Sequence, residues 1–410
     1  MAGAIPAVTV DQRSANILLI NRFYGYEARV PTARLLADLA AELDATGLQA
    51  DAVSAVSGNA SDPSIFSRFL AHPKLLLRAL FQRQKPDYIV VLSDPPMVLF
   101  TALLLGMIRR VPVMYWCHDI YPDVINAMQA PWQLQRIPVR LMRPLHRWLV
   151  RRCDWVVVPS ACLRQQLLRQ NPDIAVTVMP NWPERVLEPA RPLPSSKPLR
   201  LLYSGHYGIG HDLGDLLRAH RVWAQSVTPV DVHLALSERG EQRLRRQYAG
   251  SDLLDGIRIT RLVPEAELGE HLQNAHIHVV SIKPSASGTI MPCKSMASLH
   301  VGRPVLLLGG PDTELARMIT DHDLGHVVPA GDTTGLLQWV QVLSTEPERL
   351  ETMAGNAGRY AEELFARHPA ERLAALIASR AMVAVSDRTP HPVAGSDCDP
   401  VMGMGLRDAR

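Results

Sequence analysis

Residues 199–212, Leu199-Arg200-Leu201-Leu202-Tyr203-Ser204-Gly205-His206-Tyr207-Gly208-Ile209-Gly210-His211-Asp212, read as a short apolar run that stops in a glycine-rich turn. A run of that length, rich in aliphatic and aromatic residues and closed by glycine, is a strand signal. Just before it, Pro183, Pro189, Pro192, Pro194 and Pro198, with Ser195 and Ser196 among them, break regular structure and mark a linker. Working back toward the N-terminus, similar runs stand at 17–20, 51–56, 88–92, 112–116, 155–158 and 176–179, with helical periodicity between several of them, as at 32–43. Working forward, they return at 232–236, 257–260, 277–282, 305–308 and 326–328. Alternation of strand and helix predicts parallel sheets with right-handed crossovers. The expectation is therefore α/β, with two doubly wound, Rossmann-like domains that face each other across a central cleft, where ligands sit outside the carboxyl ends of the strands. The boundaries expected are 1–190, 198–365, a C-terminal helix over 366–385 that packs back, and a disordered tail from 386, where periodicity is lost.

Composition agrees with this scheme. A chain of 410 residues, 47% of them apolar, is too long for one ordinary core. The net charge of +3 is too small to name a partner, and no nucleic-acid-binding motif is present, so nucleic acid is not expected. Charge position says more: Arg136, Arg140, Arg143, Arg147, Arg151 and Arg152 fall in one stretch, with Leu141, Leu145, Trp148 and Leu149 interleaved. Such a segment fits either an amphipathic helix against an anionic membrane or a solvated surface helix. The five cysteines have neither the paired spacing of a zinc site nor that of a disulfide framework. No secretory signal pattern opens the chain, and the most apolar stretch, 97–107, is too short to span a bilayer. Cytoplasmic residence, at most peripheral at the inner membrane face, is expected.

Three segments carry polar groups where strands end. Thr289-Ile290-Met291-Pro292-Cys293-Lys294 leads into a helical pattern and then Gly302-Arg303-Pro304-Val305. A loop entering a helix offers free N–H groups and a favourable dipole for an anion, to which Lys294 adds a full charge. Trp116-Cys117-His118-Asp119-Ile120-Tyr121-Pro122-Asp123 follows an apolar run, and its His118 and Asp119 could bind hydroxyls or move a proton. Gly205 and Gly208 lie in the turn already quoted, where backbone could approach a ligand closely.

In this order, the segments resemble the family 4 glycosyltransferases of bacterial exopolysaccharide, capsule and colanic-acid-type assembly, which have the GT-B fold. The resemblance covers about residues 16–380. Pro292-Cys293-Lys294 followed by Gly302-Arg303-Pro304 looks like the proline-serine-lysine and glycine-arginine-proline motifs of one branch. Thr313-Glu314-Leu315-Ala316 resembles its serine-glutamate segment, and Trp116 to Pro122 its tryptophan-x-x-aspartate-x-x-proline signature. Pro180-Asn181-Trp182 resembles the segment that ends the N-terminal half, and Gly25, with Tyr24 and Glu27, the loop after the first strand.

The resemblance implies transfer of a sugar, of the hexosyltransferase type, from a nucleotide diphosphate sugar to a saccharide acceptor, free or lipid-linked, in surface-polysaccharide synthesis. It implies retention of configuration, no metal ion and no other cofactor. The donor contacts it implies are Gly205, Gly208, Thr289, Lys294 and Glu314; the catalytic residues, His118 and Asp119; the acceptor side, Tyr24, Gly25 and Glu27. The chain departs from the family at the paired glutamates, whose positions hold Thr289 and Ala297, and at the arginine after the glycine turn, replaced by Ile209. Two alternatives stay open: a GT-B binding subunit that has lost catalysis, and a nucleotide-sugar epimerase or hydrolase.

Overall fold

The computed structural model of the protein describes residues 15–28, 30–56, 65–82, 84–95, 97–120, 123, 139–185, 187–188, 190–195, 198–226, 230–287 and 291–386, without the side chains of 28, 65–70 and 139–141. Thr289, Tyr121, Pro122, Arg136 and the tail from 387 lie outside the described residues.

The first half builds a sheet from β1 (Asn16–Asn21), β2 (Gln49–Ser54), β3 (Tyr88–Leu92), β4 (Val113–Trp116), β5 (Trp155–Val158) and β6 (Val176–Val178). Their order is β2-β1-β3-β4-β5-β6, and every neighbouring pair is parallel. The central strands β3, β4 and β5 are buried at every position, as a parallel sheet covered on both faces requires. Helix α1 (Pro31–Ala45) covers one face. The other carries α2 (Ile65–Leu80), α3 (Val98–Arg109), α4 (Val139–Val150) and α5 (Ala161–Gln170), whose apolar sides meet Ile89, Val91, Val113 and Val156.

The second half repeats the plan with β7 (Leu199–Gly205), β8 (Val230–Leu236), β9 (Arg258–Arg261), β10 (Ile277–Ser281), β11 (Val305–Leu308) and β12 (Gly325–Val328), in the order β12-β11-β10-β7-β8-β9. Again all neighbours are parallel. Between and after these strands run α6 (Gly214–Trp223), α7 (Glu238–Gln247), α8 (Glu265–Gln273), α9 (Cys293–His300), α10 (Glu314–Asp321), α11 (Thr333–Thr345) and α12 (Pro347–Phe365). Leu216, Leu217, Leu336 and Val340 of α6 and α11 pack on one face, and Leu299, Leu315 and Ile319 of α9 and α10 on the other.

The last helix, α13 (Pro369–Ser386), returns to the first half. Its Leu373, Ala374 and Ile377 join Leu35, Leu36 and Leu39 of α1 in one core, all fully buried. Each large aliphatic side chain buried there contributes on the order of 1.5–3 kcal/mol.

The proline-rich segment between the sheets is clamped at both ends by buried arginines. Arg34 of α1 donates from Nη2 to the Trp182 carbonyl (2.7 Å) and from Nη1 to that of Pro183 (3.0 Å). Its charge is balanced by Asp38, fully buried one turn on, which also accepts from Trp182 Nε1 and Tyr26 Oη. At the far end Arg303 donates to the carbonyls of Arg191 (2.8 Å) and Pro192 (3.2 Å), and to those of Gln273 and Ala275 at the end of α8. The arginine of the glycine-arginine-proline motif thus fixes the crossover strap.

Candidate functional site

In each half, strand order reverses once: between β1 and β3, and between β7 and β10. Such switch points open a crevice at the carboxyl ends of the strands.

In the second half, β7 ends at Gly205, whose φ of +138° suits a residue without a Cβ. A Cβ there would point at Lys294, 3.7 Å from Nζ. Lys294 is the second residue of α9, a helix whose N-cap, Pro292, supplies no side-chain hydrogen bond. Its Nζ lies 3.6 Å from the centre of the Tyr203 ring and is buried with no hydrogen-bond partner among the described residues. Burial pushes this ammonium down to about 7. Beside it, His211 donates from Nδ1 to the Ser281 carbonyl at the end of β10 (2.6 Å), which leaves Nε2 as an acceptor. Burial, and then the Lys294 charge, push His211 down to about 3, so the ring is neutral at pH 7. Gly208 is close by: a Cβ on it would lie 3.8 Å from His211 Cδ2. Tyr203, His211, Ser281, Gly205 and Lys294 therefore gather at the carboxyl ends of β7 and β10, with the Lys294 ammonium buried among them.

In the first half, the turn after β4 is held to the end of β3. The backbone N–H groups of His118 and Asp119 both donate to Ser93 Oγ, at 3.1 and 3.2 Å. The His118 ring packs against Trp116, and its Nε2 meets Asn181 Oδ1 at 3.1 Å. Asn181 Nδ2 in turn donates to Cys293 Sγ at 3.0 Å. With the amide nitrogen committed to sulfur, the Asn181 oxygen accepts, which places the His118 proton on Nε2. Burial pushes His118 down to about 4 and the Cys293 thiol up to about 11, so both are neutral at pH 7. The chain His118–Asn181–Cys293 crosses from one half to the other and ends beside Lys294. Asp119 is half-buried next to it.

The other residues singled out from sequence lie as follows. Glu314, the first residue of α10, also reaches across: its Oε2 accepts from the Cys162 N–H at the start of α5 (3.0 Å), and Arg317 Nη2 donates to Cys162 Sγ (3.2 Å). A carboxylate at a helix N-terminus is favourably placed. One oxygen of the expected donor contact is thus engaged between the halves. Gly25 stands in the loop after β1 with φ +89° and open space where a Cβ would point, while Tyr24 and Glu27 are exposed. Ala297, where the resemblance expects a glutamate, is buried in an apolar cluster with Leu202, Leu272 and Val301. Sequence reasoning gave no role to Ser93, Asn181, Tyr203 or His211. Ser93 follows a fully buried strand at a switch point, a position that the carboxyl-end rule could have flagged.

Residues 31–182 match the family model described as a glycosyl transferase 4-like domain. No protein of curated function matches the chain in sequence. Among solved structures, sucrose-phosphate synthase from Thermosynechococcus elongatus superposes with a TM-score of 0.69 at 17% identity, over 90% of this chain and 100% of that one. A glycosyltransferase from Rickettsia africae gives 0.64 at 14% identity, over 90% and 99%. Anabaena HepE in complex with UDP-glucose gives 0.63 at 12%, over 89% and 99%. With two parallel sheets, two switch points and these neighbours, the chain has the two-domain α/β GT-B fold.

Proposed function

We propose that the chain is a glycosyltransferase that moves a sugar from a nucleotide diphosphate donor to a saccharide acceptor. The observation that carries this reading is the buried Lys294 ammonium, without a hydrogen-bond partner among the described residues, at the β7–β10 switch point beside Gly205 and a helix N-terminus that no side chain caps. A desolvated cation without an anion is costly, and a diphosphate would supply the missing charge. In transfer the leaving diphosphate gains negative charge, and Lys294 with the N–H groups that open α9 would stabilise it. The sugar would lie toward His118 and Asp119, where neutral His118 can contact hydroxyls and Asp119 can take a proton. In this reading the donor lies on the second half and the acceptor, with the Tyr24–Glu27 loop, on the first.

The finer reading is a hexosyl transfer with retention, in which Lys294 and backbone dipoles, without a metal ion, answer the leaving-group charge. A lipid-linked acceptor in surface-polysaccharide synthesis would put the reaction at the cytoplasmic membrane face. HepE holds UDP-glucose, so uridine nucleotides are the first donors to try.

The test is thermal unfolding with a panel of nucleoside diphosphates and nucleotide sugars, for the wild type and Lys294→Ala. A ligand at about a hundred times its Kd adds roughly 2.7 kcal/mol to stability. A selective shift in the wild type, lost in the variant, is expected; no shift with any nucleotide overturns the reading. Donor binding without turnover across acceptors would favour the binding subunit.

A further inference from the structure

Helices α2, α3 and α4 lie side by side on one face of the first sheet, α3 touching both of the others. Together they contain no aspartate or glutamate. Among the side chains described, the exposed ones are apolar or cationic. On α3 the exposed stripe is Phe100, Met107 and Ile108, and Leu77 and Phe81 continue it along α2, with Phe81 82% exposed. Trp148 extends it onto α4. Phe81, Met107, Ile108 and Trp148 stand in or just past the last turn of their helices. In a parallel sheet that end faces away from the carboxyl ends of the strands, so these four side chains lie away from the cleft.

Large apolar side chains exposed together on one layer mark an interaction site, and here basic groups stand among them. Lys74, Arg78 and Arg110 are exposed around α2 and α3. On α4, Arg143 pairs with Asp123, while Arg147 and, just past the helix, Arg151 bond the neutral side chains of Gln170 and Asn171, and these partners leave their charge uncancelled. Arg152 lies 3.4 Å over the Trp148 ring, which joins a cation to an aromatic group as a bilayer interface favours. The arginine-rich helix noted in the sequence is thus one edge of a three-helix face.

We propose that the α2–α3–α4 face is a docking surface for an anionic lipid bilayer, with the apolar stripe entering the interface and the surrounding cations meeting lipid headgroups. Charge selects this occupant: a layer with cations and no acids suits anionic lipid, whereas two copies of it would repel each other. Among the described residues no helix is long and apolar enough to cross a membrane. The inference does not rest on the transfer reading, because its probe is a vesicle and not a donor.

The experiment is co-sedimentation of the full chain with vesicles of phosphatidylcholine, with and without phosphatidylglycerol. The protein is expected to pellet with phosphatidylglycerol vesicles, less so at high salt. The double variant Phe81→Ser/Ile108→Ser is expected to reduce partitioning about tenfold or more, because insertion scales with the apolar area buried. Its melting temperature should be that of the wild type, since both side chains are exposed. A control, Leu376→Ser on α13, should bind as the wild type does. Failure of the wild type to pellet with anionic vesicles overturns the proposal, as does equal binding by the double variant. A wild-type dimer that the double variant makes monomeric, without vesicle binding, would overturn it in favour of a second copy.

Discussion

Replacing Lys294 by methionine keeps the length of the side chain and removes a buried charge that has no hydrogen-bond partner among the described residues. The pKa of the lysine falls from 10.5 to about 7 through burial alone, and at about 1.4 kcal/mol per unit this sets a ceiling of roughly 5 kcal/mol on the stability it withholds. Below pH 7 both folded and unfolded chains carry the proton, and the full penalty applies. Between pH 7 and 10.5 the unfolded chain binds the proton and the folded one does not, so wild-type stability rises with pH. The methionine variant is therefore expected to be more stable than the wild type by at least about 1 kcal/mol at pH 6, with the gap closing as pH rises. Nucleoside diphosphate affinity should move the opposite way. Losing a charged hydrogen bond costs about 1.5–3 kcal/mol, which is roughly ten- to 150-fold in Kd. In the wild type, binding above pH 7 requires Lys294 to take up a proton, so affinity falls by up to about tenfold per pH unit, whereas the variant shows no such slope. Urea unfolding at pH 6, 7.5 and 9, with calorimetry of nucleotide binding at each pH, measures both. A variant less stable than the wild type at pH 6, or a stability gap independent of pH, refutes the account of the buried ammonium. Unchanged nucleotide affinity puts the donor elsewhere.

Three other outcomes are expected. His118 and His278 are buried and held at about 4, so the folded state resists their protonation; stability should drop as pH falls from 6.5 toward 4, and His118→Gln with His278→Gln should flatten that part of an acid-unfolding curve. Asp38→Ala leaves the Arg34 guanidinium and the Trp182 N–H without their buried acceptor, and chemical denaturation should show a loss of about 3–5 kcal/mol. Gly205→Ala introduces a Cβ facing Lys294 Nζ at 3.7 Å on a backbone with φ +138°; calorimetry should show weaker nucleotide binding, by about tenfold or more, with a melting temperature lowered only modestly.

The strands were legible because parallel sheets bury both faces, leaving runs such as Tyr88–Leu92 and Val305–Leu308 without a polar interruption. Glycine and proline marked the joints between them. Lys294 was legible too, since a lysine opening a helix after a loop is a local pattern, and so were His118 and Asp119 at a strand end. What stayed hidden joins residues far apart in the chain. Asn181 meets Cys293 across 112 positions, Glu314 meets Cys162 across 152, and Arg303 reaches the linker across 112. Spacing along the chain carries no signal for such pairs. Glu314 is an example: its motif gave no sign of the bond that its carboxylate makes across the two halves.

The contacts between the halves differ in kind, and the difference bears on how a cleft of this type could admit a donor. At the back, α13 buries Leu373 and Ile377 against α1, and Arg34 and Arg303 hold the strap by several charged hydrogen bonds each. Breaking those means exposing aliphatic side chains or stranding a guanidinium. Across the cleft floor, by contrast, His118, Asn181 and Cys293 are linked as neutral groups, and such bonds contribute only about 0.5–1.5 kcal/mol each. Glu314 and Arg317 add one bond each to Cys162, at a position without the apolar burial of the α13 side. The two halves are therefore tied strongly at one side and weakly at the other. The weak side is the one that holds Lys294, whose ammonium has no hydrogen-bond partner among the described residues, and that is where the proposed diphosphate would enter.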